Sequence, residues 1–475
     1  MKACTFAVFL GLPAFLFAEE WPQFHGPNCS GLATETQKLP VKFSAKDKVV
    51  WSRNLGDGIG SPIVAGGRVI VTEMTADQKF AVICLDAASG KQRWKREFAT
   101  GKLPRITPPN SHASSTPASD GKRVYVYFST LGLLAFELAD GKESWRFPFP
   151  RPAYLMDWGA GGSPIEYKDL VIFAHEDDLN PFLIGVDKHT GKQRWRTPRP
   201  DMLAGYAVPV LCKAGGRTDL VLAGTGKLKG YDPATGKEIW TCNTLLRTIM
   251  TTPVVHDGVI YISVQSYGDS GRTIRFALLE WLDTNQDGKL SRNELPPEFW
   301  PRFDKADIKR KGYLEGEEID RAFQSPTNMA GGGNIIQAIK GGGTGDVTKT
   351  HLLWNLKSRA PSNLSSPILV GKQLYVIKKG GLSSCFDIGR GKALWELKRV
   401  GNFGEYYASP VAAGDKIYIT GENGFVVVLA AGPNLKVLAK NDLGGHRCLA
   451  TPAIANGRLF IRARDKLFCI ADQGK

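Results

Sequence analysis

D-K-H-T-G-K-Q-R-W, at residues 187–195, is the phrase on which the fold turns. It returns as D-A-A-S-G-K-Q-R-W at 86–94, as D-P-A-T-G-K-E-I-W at 232–240 and, more worn, as D-I-G-R-G-K-A-L-W at 387–395 and E-L-A-D-G-K-E-S-W at 137–145. Its chemistry is that of a hairpin. An Asp carboxylate caps nearby backbone N–H groups, a Gly is free to take positive φ, and a returning strand carries Trp. Short strands repeated at a period of roughly 45 residues predict a β-propeller.

Two marks count the blades. A Ser/Thr-Pro or similar pair opens each innermost strand, at Pro62, Pro117, Pro164, Pro209, Pro253, Pro367, Pro410 and Pro452. The outermost strands carry Trp94, Trp145, Trp195, Trp240, Trp354, Trp395, a degenerate Val437, and Trp51. Trp51 lies on a strand at 49–55 with no half-repeat before it, while residues 451–472 supply three strands and lack the Trp strand. The two ends complete one blade. The expectation is an all-β, eight-bladed propeller closed by an N-terminal strand, which removes the open sheet edge. The irregular segment W-P-Q-F-H-G-P-N-C-S-G at 21–31 is expected to pack across the propeller edge.

The pattern resembles the PQQ-like β-propeller repeat family over nearly everything after residue 45, with A-x-D-x-x-[ST]-G-K-x-x-W as its specific part. The opening W-P-Q-F-H-G-P is similar to the start of exported propeller proteins of planctomycetes and related bacteria. Quinoprotein alcohol dehydrogenases and the BamB-type scaffold share this fold without sharing a function.

Composition narrows the classes. The 475 residues are 43% hydrophobic and 23% charged, those of a globular chain. The formal charge of +15 invites a polyanion reading. Lys91, Lys142, Lys192, Lys237 and Lys392, however, occupy equivalent Gly-Lys turns and are dispersed around the ring, so nucleic acid is not expected as a partner. Lys2 and the apolar run at 4–18 have the form of a signal peptide, too short to span a bilayer. The mature chain is expected to be exported, periplasmic or extracellular, with no transmembrane segment. Of the eight cysteines, Cys84, Cys385 and Cys469 share one repeat position with Ala135, Gly185 and Gly230, as small buried residues too far apart to pair. A Cys212–Cys242 bridge within one blade is left open.

Blade five is interrupted between strand-like stretches at 259–265 and 334–340. Phe276, Leu279 and Leu282 have helical spacing and run into D-T-N-Q-D-G-K-L-S-R-N-E at 283–294, which fits an EF-hand loop. Calcium would take oxygens from Asp283, Asn285, Asp287, the carbonyl of Lys289, Ser291 and Glu294, with Gly288 at the sharp turn. A second loop at 307–318 is in register, yet Lys309 and Lys311 stand where oxygen ligands belong. It is expected to be metal-free and to buttress the first. The organisation is then a signal peptide at 1–18, an irregular segment at 19–45, propeller at 46–267, EF-hand insertion at 268–333 and propeller at 334–475.

The insertion lies in a connection between middle strands, so it is expected to overhang the funnel face. Inter-blade loops bring His112, Asp157, Trp158, Tyr206, Arg247, Glu405, Tyr406 and Arg447 to that face, along with Asn110, Asn363 and His446. A protein, peptide or polysaccharide held there makes the chain a binding scaffold. The family resemblance implies the alternative, a PQQ-dependent dehydrogenase of alcohols or sugars, for which Asp157, Arg247 and Glu405 are the first residues to question. The sequence departs from that alternative. It has no adjacent Cys-Cys pair and no C-x-x-C-H haem motif, and no Ser, Cys or His constellation points to hydrolysis.

Overall fold

A computed structural model of the chain describes residues 20–33, 38–154, 157–202, 205–245, 250–265, 274–323 and 334–472. The expected signal segment and Arg247 lie outside them. Eight antiparallel sheets of four strands stand in a ring, the fourth carrying one extra strand. Every innermost strand begins one residue after a counted proline, from Ile63–Ala65 in blade one to Ala453–Ala455 in blade eight. Middle strands such as Arg68–Met74 are Val/Ile-rich and buried on both faces, because each blade is covered by its two neighbours. Outer strands alternate, as in Leu352–Lys357. In blade eight, Val49–Asn54 pairs antiparallel with Lys466–Ile470, so both ends of the chain build the sheet that closes the ring.

The repeated phrase is a latch between blades. Asp86 Oδ1 accepts the N–H of Ser89 at 2.9 Å and its carbonyl accepts that of Gly90 at 2.8 Å, which sets the turn. Gly141 and Gly191 take φ of +72° and +71°. A Cβ on Gly141 would lie 2.5 Å from the Trp94 ring, and one on Gly191 would lie 2.8 Å from that of Trp145. Each indole thus lies against the glycine of the next blade. Trp94 and Trp145 also donate Nε1–H into that blade's turn, to Leu138 O at 3.0 Å and to Lys188 O at 2.9 Å, whereas Trp195, set against Gly236, has no Nε1–H partner among the described residues. Inside its own blade the Trp faces a small residue, Cys84 opposite Trp94 and Gly185 opposite Trp195. The described cysteines are free and buried, Cys212 and Cys242 among them, so no bridge joins those two.

Two blades depart from the pattern. Blade five has no copy of the phrase, and its longer turn sends Gly345–Asp346 to pair in parallel with Trp240 and Thr241 of blade four, a strand in place of a latch. In blade seven, Val428 pairs with Ala439 as Cys84 pairs with Trp94. The Trp position is therefore Ala439, two residues beyond Val437. Every outer strand carries a bulge here; what moves the Trp position in blade seven is its turn, one residue longer, since Leu429 pairs with Val437 where Leu85 pairs with Gln92.

A second ring lies inside the first. The residue before each counted proline donates its backbone N–H to the hydroxyl one blade on. Ser61 bonds Thr116, Thr116 bonds Ser163, Thr252 bonds Ser366, Ser366 bonds Ser409 and Ser409 bonds Thr451, all at 3.0 Å. Thr451 returns to Ser61 at 3.1 Å. Val208 breaks the circle as an acceptor but donates to Thr252 at 3.0 Å. Proline holds the preceding residue extended, which aims its N–H along the ring.

The segment at 21–31 does not lie on the edge; it crosses the centre. Trp21 exchanges hydrogen bonds with Val64 of blade one at 2.9 Å, Pro22 O accepts Ser119 N of blade two at 2.8 Å, and Gly31 O accepts Ala412 N of blade seven at 2.8 Å. Asn28 pairs both ways with the backbone of Leu211 in blade four, at 2.8 and 2.9 Å. Lacking a repeat partner, the segment satisfies its polar groups on four innermost strands at once.

The insertion leaves blade five between Val259–Gln265 and Asn334–Lys340. It comprises three short helices, α1 (Ile274–Leu282), α2 (Trp300–Ala306) and α3 (Glu317–Phe323), and its two loops meet where Leu290 pairs with Leu314 and Ser291 with Tyr313. Leu282, Phe299, Phe303, Leu314 and Phe323 share one small core with Ala153 and Leu179 of the propeller. The insertion therefore docks on the connections around blade three.

Candidate functional site

The axial funnel is a cavity of about 660 Å³, a size suited to a small organic ligand. The hydroxyl ring encircles it, and Phe24 of the crossing segment is among its lining residues. On one side stand Trp158 and Tyr206, with ring centroids 6.4 Å apart; Tyr154 stacks on Tyr206 at 6.2 Å. Among the described residues the buried Tyr206 hydroxyl has no hydrogen-bond partner. On another side Lys379 pairs with Glu405 at 2.6 Å, and Lys378 donates to the carbonyl of Arg359 at 2.7 Å.

Of the face residues expected from sequence, Asn110, Trp158, Tyr206, Asn363 and Glu405 line this cavity, whereas His446 does not. Asp157 holds a positive φ of 49° and faces Arg105 at 3.6 Å. His112 is half-buried, and that burial lowers its pKa against the opposing charge of Asp57. Arg447 is tied to Glu422 at 2.8 Å. These three flank the cavity without lining it. Tyr406 corrects the expectation, since its side chain is 1% exposed, in a core with Tyr375 and Ile419, and its hydroxyl bonds Gly401 O at 2.5 Å. Its neighbour Tyr407 lines the cavity instead. Adjacent residues in extended backbone point to opposite sides, so loop position alone could not choose between them. None of the described insertion residues lines the cavity; the insertion packs on Ala153 and Leu179 instead.

The crossing segment buries a histidine. His25 Nε2 donates to Pro410 O at 2.7 Å, and burial pushes its pKa down to about 4. The ring is neutral in the folded protein, whereas the unfolded chain takes up a proton below about pH 6.5. The stability this supplies is full above that pH and is lost as pH falls toward 4. Between pH 7 and pH 5 the folding free energy of the wild type is expected to fall by about 2 kcal/mol more than that of His25→Gln. Urea denaturation at both pH values checks this, and parallel losses would refute it.

In the insertion's first loop the carboxylates turn inward. Asp283 accepts Asp287 N at 3.1 Å and Gly288 N at 2.8 Å, Asn285 accepts Asp287 N at 3.0 Å, and Asp287 accepts Lys289 N at 2.9 Å. Glu294 reaches back to Thr284 N and Ser291 N, both at 2.9 Å, and Gly288 has φ of +77°. Among the described residues no Lys or Arg pairs with Asp283, Asp287 or Glu294, and no three His, Cys, Asp or Glu side chains converge as a metal cluster. The second loop differs, because the Lys311 ammonium lies 2.8 Å from Glu318 and 2.7 Å from Glu315.

A family model described as outer membrane protein assembly factor BamB matches residues 33–157, 78–295 and 325–475. The outer membrane protein assembly factor BamB of Burkholderia pseudomallei (strain K96243) is 24% identical over 314 residues, covering 62% of this chain and 70% of the relative. The crystal structure of BamB from Moraxella catarrhalis is similar with a TM-score of 0.56 at 15% identity, over 90% of this chain and 98% of that one. The quinohemoprotein alcohol dehydrogenase of Comamonas testosteroni reaches 0.55 at 12% identity, over 96% and 81%. At such identities the two structures speak to the fold alone, a PQQ-like β-propeller. The sequence match spans both sides of the insertion, and the chain belongs to the outer membrane protein assembly factor BamB family.

Proposed function

We propose that this chain is an exported, calcium-binding propeller that acts as a scaffold, offering its funnel face to a protein partner. The family membership carries the reading, since the members it matches bear the description of an assembly factor for outer membrane proteins. Aromatic Trp158 and Tyr407 on the funnel wall supply the anchors such a surface uses. A peptide or polysaccharide at the same face is the variant of this reading. Capture from an envelope extract, with the wild type against Trp158→Ala and Tyr407→Ala, tests it. A protein retained by the wild type and lost in both variants supports a scaffold, while stoichiometric PQQ uptake with reduction of an artificial acceptor would replace it by a dehydrogenase.

The insertion is read as an EF-hand pair. Asp283, Asn285, Asp287, Ser291, Glu294 and the Lys289 carbonyl would hold one calcium, a hard-oxygen set with the turn glycine in place. The lysine ammonium against Glu318 supports a metal-free second loop, since a tethered positive charge takes the place a cation would fill. One calcium is expected to bind the calcium-stripped protein, raising stability by about 2.7 kcal/mol at a hundredfold excess over Kd, with both effects lost in Asp283→Ala. Titration calorimetry and calcium-dependent melting check it; two sites, or binding unaltered by Asp283→Ala, would overturn the assignment.

A further inference from the structure

We propose that the hydroxyl ring and Lys378 form a site for a small carboxylate-bearing molecule on the propeller axis. Ser61, Thr116, Ser163, Ser366, Ser409 and Thr451 all line the cavity, and each is at most 3% exposed. Every one of these oxygens already accepts a backbone N–H from the blade before. Among the described residues none of the six donates its own hydrogen to a protein acceptor. A hydroxyl has a single hydrogen to give, and accepting a bond makes it a better donor. The ring therefore lines the cavity with buried donors whose need is an acceptor.

Charge points the same way. Lys379 is neutralised by Glu405 at 2.6 Å, whereas Lys378 has only a backbone carbonyl as partner and no carboxylate within ion-pair distance among the described residues. Among the described lining residues those three charges leave one net positive charge. Buried hydroxyl donors beside an unmatched ammonium suit a carboxylate, which accepts several hydrogen bonds and carries the missing charge. The cavity volume admits a molecule well beyond a single ion, and Leu364, Leu449 and Phe24 offer its body an apolar wall. The site goes beyond partner binding at the funnel face and does not depend on it.

Calorimetric titration of the full mature protein with succinate, succinamide and inorganic phosphate tests the site. Succinate is expected to bind at least about tenfold more tightly than its neutral diamide, and to lose about tenfold or more in Lys378→Gln. Ser366→Ala/Ser409→Ala should show a similar loss; because it also removes two links of the ring, Lys378→Gln, which leaves the ring intact, decides if the double variant fails to fold. Phosphate binding with the same variant dependence would widen the class to oxyanions and uphold the site. Equal binding of succinamide, anion binding indifferent to Lys378→Gln, or no binding at millimolar concentration would each overturn it, the last leaving a column of water along the axis.

Discussion

Trp145→Ala is expected to cost about 3–5 kcal/mol of folding free energy, the range for removing a large buried aromatic side chain. The indole fills the space beside Gly191, stacks on Tyr125 at 6.0 Å and donates to Lys188 O, so its loss opens a cavity between blades two and three and leaves a turn carbonyl unpaired. Trp395 is the internal control. It occupies the same repeat position but is only partly buried, blade seven carries no copy of the phrase, and among the described residues its Nε1 has no partner. Trp395→Ala should therefore cost less, by about 1 kcal/mol, the worth of one net hydrogen bond. Denaturant midpoints of the two variants check the pair; equal losses would mean that the latch bond contributes nothing.

Glu176→Gln is expected to be as damaging, by about 3–5 kcal/mol, because it strands a charge. Glu176 and Arg199 are both buried, with Arg199 Nε 2.6 Å from Glu176 Oε1 and a second nitrogen 3.2 Å from Oε2. Arg199 also donates to the hydroxyl of Tyr231, so the pair ties blade three to blade four. An amide of the same shape keeps the geometry and removes the counter-charge. Glu176→Gln/Arg199→Met, which removes both charges, should recover most of the loss. If the single variant melts like the wild type, or the double variant is no better than the single, the pair is not the strut described here.

The ring was legible because its marks are local. Asp, Gly, Lys and Trp within nine residues report a hairpin, and the prolines report where each inner strand begins. The crossing segment at 21–31 was not legible, because its partners, Val64, Leu211 and Ala412, are far away in sequence and share no period with it. Ala439 is not legible because the turn of blade seven is longer by one residue and carries no Asp-Gly-Lys mark from which to count. Tyr406 and Tyr407 cannot be told apart in the sequence, because a loop gives no alternation from which to read the side that faces the cavity. The hydroxyl donors stand in plain view, one residue before six of the eight counted prolines, but a serine reads as a funnel donor only once its oxygen is known to be occupied by the N–H of the blade before. Lys378 gave no sequence signal among the chain's many lysines.

The crossing segment and the closing strand have a further consequence for how the molecule is built. Both belong to the first fifty-odd residues, yet their partners include Leu211, Pro410, Ala412 and Lys466–Ile470. Synthesis makes this portion first, and folding can place it only when the last blade exists. Joining Asn54 to Lys466 closes a loop of about 400 residues, an entropic cost that grows only logarithmically with length. The slow consequence is exposure: until the ring closes, blade eight keeps a bare edge and His25 and Gly31 lack their partners Pro410 and Ala412 in blade seven. Assembly of this propeller ends where its translation began.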